Sequence, residues 1–305
     1  MPAYHTLTRA LETAAQTPLP ARQLFAAAVG HVLNGFVTTE RFQHAGRMAG
    51  AKRHSESAIA RIVTDALRID LNPFLQCMVR ARTPHRALLL HQSLTSNVDL
   101  PVRTEYGFDG KGIFKVRSSP ASSSGDHPAS CSEAALIGLE IVLSSIAKPG
   151  TQTIADNEMP AWGGTWVRPP ECVSGLAALL GLGASVASEA ALAFESDTTI
   201  NVQDMARHLG CHSRTLQREF KACGVSAETL KRACMLSQAT ALLSTTKTLT
   251  AIAHEAGYAD HAHMTRAFVT SCGLPPSILR QAFVMPLLST TPARSQRTVM
   301  AGQLA

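Results

Sequence analysis

Two short sets of residues each contain arginine, and the first also contains glutamine, whose side chains can hydrogen-bond to the edges of DNA bases. They are Arg214, Gln217 and Arg218 in the first set and Ala262, His263 and Arg266 in the second. In each set the first residue and the last arginine are four positions apart, so a helix would place both on one face. An Arg guanidinium pairs with guanine through two hydrogen bonds, and a Gln amide pairs with adenine. These residue types are therefore suited to reading bases in the major groove of DNA.

The same helix-turn-helix pattern surrounds both sets. It runs over residues 202–220 and again over residues 249–268. Each copy has an apolar-x-x-apolar-Ala face followed by a glycine, Gly210 or Gly257, that can take the positive φ of a tight turn. We expect Ser213 and Asp260, which come shortly afterwards, to cap the second helix of each unit.

Each second helix also has residues that would hold it against a core. Leu216 and Phe220 lie four positions apart and share one face, and Met264 and Phe268 repeat that spacing. Each pair brackets an arginine in an apolar-x-Arg-x-Phe string. A helix that buries one side and presents arginine on the other, behind such a turn, is typical of a major-groove reader.

Residues 200–283 resemble the two-part DNA-binding domain of AraC/XylS-type transcription regulators. The family's ending, Gly-x-x-Pro-x-x-aromatic-Arg, corresponds here to Gly273-Leu-Pro-Pro-Ser-Ile-Leu-Arg280. The resemblance implies that two recognition helices enter successive major grooves on one face of DNA. It also implies that a long helix over residues 228–245 joins them. The apolar residues of that stretch fit an amphipathic helix: Leu236, Ala239, Leu242 and Leu243.

The resemblance assigns base contacts to the six residues introduced at the outset. It assigns phosphate contacts to Ser213, Lys221 and Thr265. The chain departs from the family pattern in four places. The distance from Phe220 to Gly224 is one residue shorter, Ala227 lies near the usual Pro, Met235 replaces Arg, and Val269 replaces Lys. These changes remove some phosphate contacts but leave both Arg-x-Phe strings intact.

The positive charge is concentrated in the same part of the chain. Residues 1–197 hold 17 basic and 17 acidic residues, whereas residues 198–283 hold nine basic and five acidic ones. Arg294 and Arg297 complete the net charge of +6. This distribution favours an attraction to phosphate at the carboxy-terminal segment. The excess is modest, so we expect this segment alone to bind DNA weakly. Dimerisation or an activating ligand would make up the difference.

Composition and cysteine usage exclude several other classes of protein. With 305 residues, 45% of them hydrophobic and 16% charged, the chain is globular and long enough for two cores. The seven cysteines are scattered and form no Cys-x-x-Cys pair, which argues against a zinc ribbon or a disulfide scaffold. We find no secretion signal over residues 1–36, and the uncharged run 172–188 is short for a membrane span. We therefore expect a cytoplasmic protein with no cofactor, metal or membrane contact.

The fold class that we predict is an α+β sensor or dimerisation-type domain followed by an all-α double helix-turn-helix domain. The boundaries are 1–197 and 198–283, with a disordered tail over 284–305. Within the first domain, the patterns predict helices at 6–15, 21–33, 55–67, 131–147 and 173–182, strands at 86–92, 112–117 and 191–194, and loops at 118–128 and 149–166.

The predicted function is a DNA-binding transcription regulator that is not an enzyme. Its partners would be double-stranded DNA, a small-molecule effector, RNA polymerase and a second copy of the chain. One alternative is an amidotransferase-like front domain with Cys131 as nucleophile near His127, although the chain lacks a Gly-x-Cys-x-Gly or Gly-x-Ser-x-Gly elbow. Another is a purely structural or protein-interaction role. Trp162, Trp166, Arg168 and His91 are candidates for a ligand pocket, with ordinary packing as the preferred interpretation.

Overall fold

The chain folds mainly into helices. The computed structural model describes residues 2–15, 19–97, 102–108, 114–120, 128–146 and 168–284. The amino-terminal elements are β1 Pro2–Tyr4, α1 His5–Ala15, α2 Ala21–Leu33, β2 Phe36–Thr38, α3 Thr39–Ala51, α4 Glu56–Arg68, α5 Pro73–Val79, α6 Pro84–Asn97, β3 Val102–Phe108, β4 Phe114–Pro120 and α7 Ala129–Ile146. The later elements are α8 Val173–Leu179, α9 Val186–Ser196, α10 Val202–His208, α11 Ser213–Ala222, α12 Ala227–Leu242, α13 Leu249–Glu255, α14 His261–Cys272 and α15 Pro276–Val284.

Within these residues the strands form only two antiparallel pairs. β1 pairs with β2, with Pro2 opposite Thr38, and β3 pairs with β4, with Val102 opposite Pro120. The predicted α+β arrangement of residues 1–197 is therefore not what the described part of the chain shows, because helices pack on helices there. The strand predicted at 112–117 corresponds to β4, which begins at Phe114. β4 continues to Pro120, where a loop over 118–128 was predicted.

Four of the predicted amino-terminal helices are confirmed as α1, α2, α4 and α7. α1 packs against α3, α4 and α7, and Leu11 and Val63 are buried where they meet. The Ser55 hydroxyl accepts a hydrogen bond from the Ala58 N–H at 3.3 Å, so the predicted cap of α4 is also confirmed. α8 ends earlier than predicted, since the chain turns at Gly181 with a φ of +73°.

Two predicted strands are wrong. Residues 86–92 belong to α6, and residues 191–194 belong to α9. In α6 the apolar run is not buried on both sides, because Leu89 is 44% exposed whereas Leu88 and Leu90 are buried. A short apolar run does not distinguish a strand from a buried helix, and here the helix forms. The predicted loop at 149–166, with Trp162 and Trp166, lies outside the described residues.

One described helix, Ala129–Ile146, is long and apolar enough to cross a membrane by length and composition, with a mean hydropathy of 1.5. Half of that helix is buried against the rest of the chain. Ile137, Ile141 and Leu143 are almost completely inaccessible to solvent. A core helix satisfies the same criterion, and this burial is what a core helix shows.

The carboxy-terminal helices pack directly on the amino-terminal ones. α2 lies against α12 and α14, and α15 lies against α5 and α6. A hydrogen bond joins α6 to α15, from Arg86 Nη1 to the Phe283 carbonyl at 3.0 Å. The buried apolar side chains form one continuous cluster that includes Phe25 and Phe268. The described helices therefore share a core, and the domain boundary at residue 197 stays a prediction.

Candidate nucleic-acid interface

The first helix-turn-helix unit consists of α10 and α11. Asn201 caps α10, with its Oδ1 accepting from the N–H groups of Gln203 and Asp204 at 2.9 Å each. Gly210 takes a φ of +63° in the turn, as predicted, and Cys211 N–H donates to the Ala206 carbonyl at 2.9 Å. That bond closes the end of α10 and sends the chain into α11.

The second unit, α13 and α14, repeats this geometry. Gly257 has a φ of +86°, and the Tyr258 N–H donates to the Ala253 carbonyl at 2.8 Å. This is the bond of the first turn at the equivalent position, so the repeat read from the sequence is also a structural repeat. A Cβ at Gly257 would collide with the Thr198 side chain, so close packing as well as the positive φ requires glycine at this position.

The two recognition helices begin differently. Asp260 caps α14 as predicted, with its Oδ1 accepting from the His263 N–H at 2.6 Å. This hydrogen bond lowers the pKa of the Asp260 carboxyl, and Arg266 contributes to the shift. The prediction that Ser213 caps α11 is wrong. His212 occupies the cap position, and in the described chain its side chain makes no cap bond, while Ser213 is already the first helical residue.

The predicted inward faces are confirmed. Leu216, Phe220, Met264 and Phe268 are at most 2% exposed. The connector helix is α12, which begins at Ala227 behind a Ser226 cap and ends at Leu242. Its Leu236 and Ala239 are buried and its Leu242 is half-buried, and Leu243, which caps the end of the helix, is buried as well. The predicted apolar positions are therefore buried as expected, but Ser237 and Thr240 are buried too, so α12 is enclosed on most sides rather than amphipathic. α12 packs against α13 and α14 of the second unit and against α9, which in turn contacts α11 of the first unit.

All six residues predicted to read bases are exposed to solvent. Arg218 has 76% of its side chain exposed, and its Nη2 lies 3.8 Å from Glu219 Oε1. The His263 ring stands edge-on to Tyr258, with centroids 5.2 Å apart. Of the three residues predicted to contact phosphate, Lys221 is exposed and Ser213 and Thr265 are half-buried. The Thr265 hydroxyl lies 3.3 Å from His261 Nε2.

Two grooves lie beside α12, one lined partly by α11 and the other partly by α14. The first is lined by Gln217 and Lys221 from α11 and by Glu228 and Lys231 from α12. The second is lined by the same Glu228 and Lys231 together with His263 and Arg266 from α14. Because Glu228 and Lys231 border both grooves, Gln217 of α11 and His263 and Arg266 of α14 all lie near the same stretch of the connector. The sequence prediction did not include Glu228, Lys231 or Arg232, although their spacing of three and four marked one helical face.

The same segment of the chain is similar to a known protein family. Residues 205–282 match the family model described as a helix-turn-helix domain. The carboxy-terminal segment is an AraC-type helix-turn-helix domain. Domains of this type bind DNA in transcription regulators, and the protein is a DNA-binding transcription regulator. The chain is similar to the transcriptional regulator CdpR from Pseudomonas aeruginosa, whose crystal structure aligns with 90% of this chain and 96% of its own at 16% identity and a TM-score of 0.30. No curated protein sequence matches the chain.

Outside the helix-turn-helix domain, Cys131 is poorly suited to be a nucleophile. Its side chain is inaccessible, its Sγ lies 3.6 Å from the Phe42 carbonyl, and burial raises its pKa to about 12. A thiol reacts as the thiolate, so a raised pKa removes the reactive form at neutral pH. His127 lies outside the described residues. No cluster of three His, Cys, Asp or Glu side chains that would hold a metal occurs among the residues that the structure describes.

His91 and Arg168, the described members of the candidate pocket, have different surroundings. The His91 ring packs beside Phe74, with centroids 6.2 Å apart, and burial lowers its pKa to about 4. Arg168 is exposed, with Nη2 3.4 Å from the Ser145 carbonyl. These surroundings are those of a packed imidazole and a surface guanidinium.

Proposed function

We propose that the helix-turn-helix domain reads two successive major-groove segments on one face of DNA, one with α11 and one with α14. The observation that supports this proposal is that Gln217 of the first exposed set and His263 and Arg266 of the second line grooves that share Glu228 and Lys231 of α12. Successive major grooves on one face of B-DNA are one helical turn, about 34 Å, apart. A single rigid connector between two reading helices is suited to such a pair of sites.

Within this arrangement the roles of the side chains follow from their chemistry. Arg214, Arg218 and Arg266 would each donate two hydrogen bonds to a guanine, and Gln217 would pair with adenine. Ala262 presents a methyl group that suits the thymine methyl. His263, held edge-on by Tyr258, offers a ring nitrogen at the start of α14.

Phosphate contacts would come from Ser213, Lys221 and Thr265. Ser213 is the first residue of α11, where unpaired N–H groups and the positive end of the helix dipole favour an anion. Lys221, in the last turn of α11, brings an exposed ammonium group. Contacts of this kind fix the position of the protein on the duplex without selecting a sequence.

We further propose that the amino-terminal region tunes this binding through the carboxyl end of α14. The Ser271 carbonyl accepts hydrogen bonds from Gly35 N–H at 2.7 Å and from Asn72 Nδ2 at 3.0 Å. The Ser271 hydroxyl donates to the Val32 carbonyl at 2.5 Å. Three separate points of the amino-terminal region thus hold the second recognition helix.

A buried polar network lies behind these contacts. The Asp70 carboxylate accepts from the Asn72 N–H at 2.7 Å and from the Thr6 hydroxyl, and its Oδ1 lies 3.4 Å from His31 Nδ1. Asp70 and Asn72 are completely inaccessible to solvent. Breaking one such buried hydrogen bond costs about 1–3 kcal/mol, so a shift of α1 or α2 would be felt at α14. A small-molecule effector or self-association acting on this network would change the setting of α14 relative to α11. RNA polymerase and a second copy of the chain remain proposed partners, and the cytoplasm remains the proposed location.

The reading geometry is tested by selecting duplexes from a random-sequence library with the full-length protein and mapping the bound bases by methylation protection. The proposal expects two protected major-groove segments about 10 base pairs apart on one face of the duplex. Protection of a single segment, or of segments on opposite faces, would contradict it.

A further inference from the structure

A strip of charged side chains on the first turns of α12 lies between the recognition helices. We name it the connector strip, and it consists of Glu228, Lys231 and Arg232. Glu228 and Lys231 line both grooves, and Arg232 lines the groove on the α14 side. Glu228 and Arg232 are exposed, whereas Lys231 is half-buried. None of the roles assigned so far uses these residues.

The position of the connector strip decides which part of the DNA it would meet. If α11 and α14 occupy successive major grooves on one face, the surface between them faces the intervening minor groove. Two sugar-phosphate backbones border that groove, and a duplex carries one negative charge for about every 1.7 Å of its axis. A cationic side chain at the middle of the connector strip would therefore lie close to phosphate.

From this position we infer that Lys231 and Arg232 bind DNA phosphates between the two major-groove segments, and that Glu228 opposes them. The inference rests on the proposed reading of two segments and adds a third, sequence-independent contact region. Its occupant is the phosphodiester backbone of the bound duplex.

The surroundings leave both basic groups available for such a contact. Within the part of the chain that the structure describes, neither Lys231 nor Arg232 forms an ion pair with a carboxylate at 4 Å or less. Lys231 lies near enough to Asp197 to contribute to the lowered pKa of that carboxyl, although the Thr199 hydrogen bonds are the main cause. Because part of the Lys231 side chain is buried in the groove wall, less rotamer freedom is lost when its ammonium group meets a phosphate.

Two substitutions test the contact in the full-length chain: Lys231→Gln and Arg232→Gln. The probes are a duplex selected by the wild-type protein from a random library and a scrambled duplex of the same length. Loss of one phosphate contact should reduce the steepness of the fall of log K with log salt by about 0.9. If a variant and the wild type bind equally at 1 M salt, the variant should then bind about eightfold more weakly than the wild type at 0.1 M. The loss should be equal for both duplexes, because a phosphate contact carries no base preference.

Matched controls exist in the amino-terminal half. Lys52→Gln and Arg61→Gln remove the same charges from exposed positions at the end of α3 and on α4, two helices that pack against α1 and α7. They should leave the salt slope unchanged. Glu228→Gln should have the opposite effect to Lys231→Gln and tighten binding to both duplexes, since it removes a negative charge that faces phosphate.

The outcomes separate this inference from the proposed function. If Lys231→Gln and Arg232→Gln behave like Lys52→Gln and Arg61→Gln, the connector strip does not contact phosphate, even if the two protected segments persist. If either variant weakens binding to the selected duplex alone, it has lost a base contact and the inference is also wrong. If two-segment protection is itself missing in the wild type, the proposed reading geometry fails instead.

Discussion

Asn72 Nδ2 lies 3.0 Å from the carbonyl oxygen of Ser271, a residue 199 positions further along the chain. Asn72 also caps α5, with its Oδ1 accepting from the Phe74 N–H at 3.0 Å. One buried amide thus fixes the start of an amino-terminal helix and the end of the second recognition helix together. This joint links the amino-terminal region directly to the DNA-binding domain, together with the hydrogen bonds that join Ser271 to Gly35 and Val32.

The tightness of the joint leads to a prediction about Gly35. A Cβ at Gly35 would collide with the Asn72 side chain and the Ser271 carbonyl. We expect Gly35→Ala to lower the free energy of unfolding by about 1–3 kcal/mol, because the buried hydrogen bonds at Ser271 are disturbed. Urea unfolding measures this change, and methylation protection should weaken at the α14 segment more than at the α11 segment.

Gly30→Ala is the matched control for Gly35→Ala. A Cβ at Gly30, inside α2, meets no atom within 4 Å. Replacing a helix-interior glycine with alanine should stabilise the chain by about 0.5–1 kcal/mol. Equal stability and equal protection patterns for Gly35→Ala and the wild type would mean that the joint does not constrain α14.

The phenylalanines beneath the recognition helices should be essential for stability. Phe220 and Phe268 are at most 2% exposed, so Phe220→Ala and Phe268→Ala should each cost about 3–5 kcal/mol. Val269→Ala, at a position that is 45% exposed on α14, should stay within about 0.5 kcal/mol of the wild type. Urea unfolding followed by circular dichroism checks all three variants. A loss below about 1 kcal/mol for either phenylalanine would argue against its place in the core.

Stability should decline in mild acid because of buried imidazoles. Burial lowers the pKa of His91 to about 4, whereas the unfolded chain binds this proton near pH 6.5. The stabilisation is therefore complete above about pH 6.5 and is lost as the pH falls towards 4, by at most about 1.4 kcal/mol per pH unit. His31, whose pKa is also lowered by burial, should act in the same direction.

His91→Asn isolates the contribution of this group. The variant removes the titrating ring, so its unfolding free energy should fall less steeply between about pH 6.5 and 4.5 than that of the wild type. Unfolding in urea at several pH values provides the comparison. Parallel pH profiles would show that the His91 proton uptake does not differ between the folded and unfolded chain.

The helix-turn-helix units could be predicted because their determinants are local. Gly210 and Gly257 take the positive φ that their turns require, and Asp260 caps the helix that follows it. The bonds that close both turns join residues only five positions apart. The exception is Ser213, whose type suits a cap although the cap position lies one residue earlier, at His212. Side-chain type alone did not separate these two neighbouring positions.

The amino-terminal region was harder to predict because its determinants are distant. Residues 86–92 form a helix since α6 packs against α5 and α15, and α15 comes from the far end of the sequence. No local pattern pairs Asn72 with Ser271. The connector strip was missed for a different reason. The apolar pattern of α12 predicts only which residues are buried. Lys231 and Arg232 became candidates because the structure places them in the grooves beside the recognition helices.

The central claim, that each recognition helix reads its own bases, is tested most directly by comparing the sequences selected from a random library by the wild type, Arg218→Ala and Arg266→Ala. Each variant should lose preference at one base position, at a cost of about 1–3 kcal/mol, and the two positions should lie in different major-groove segments. Arg61→Ala, on α4, should select the wild-type sequence. Unchanged sequence preference in Arg218→Ala and Arg266→Ala, with wild-type affinity, would contradict the account.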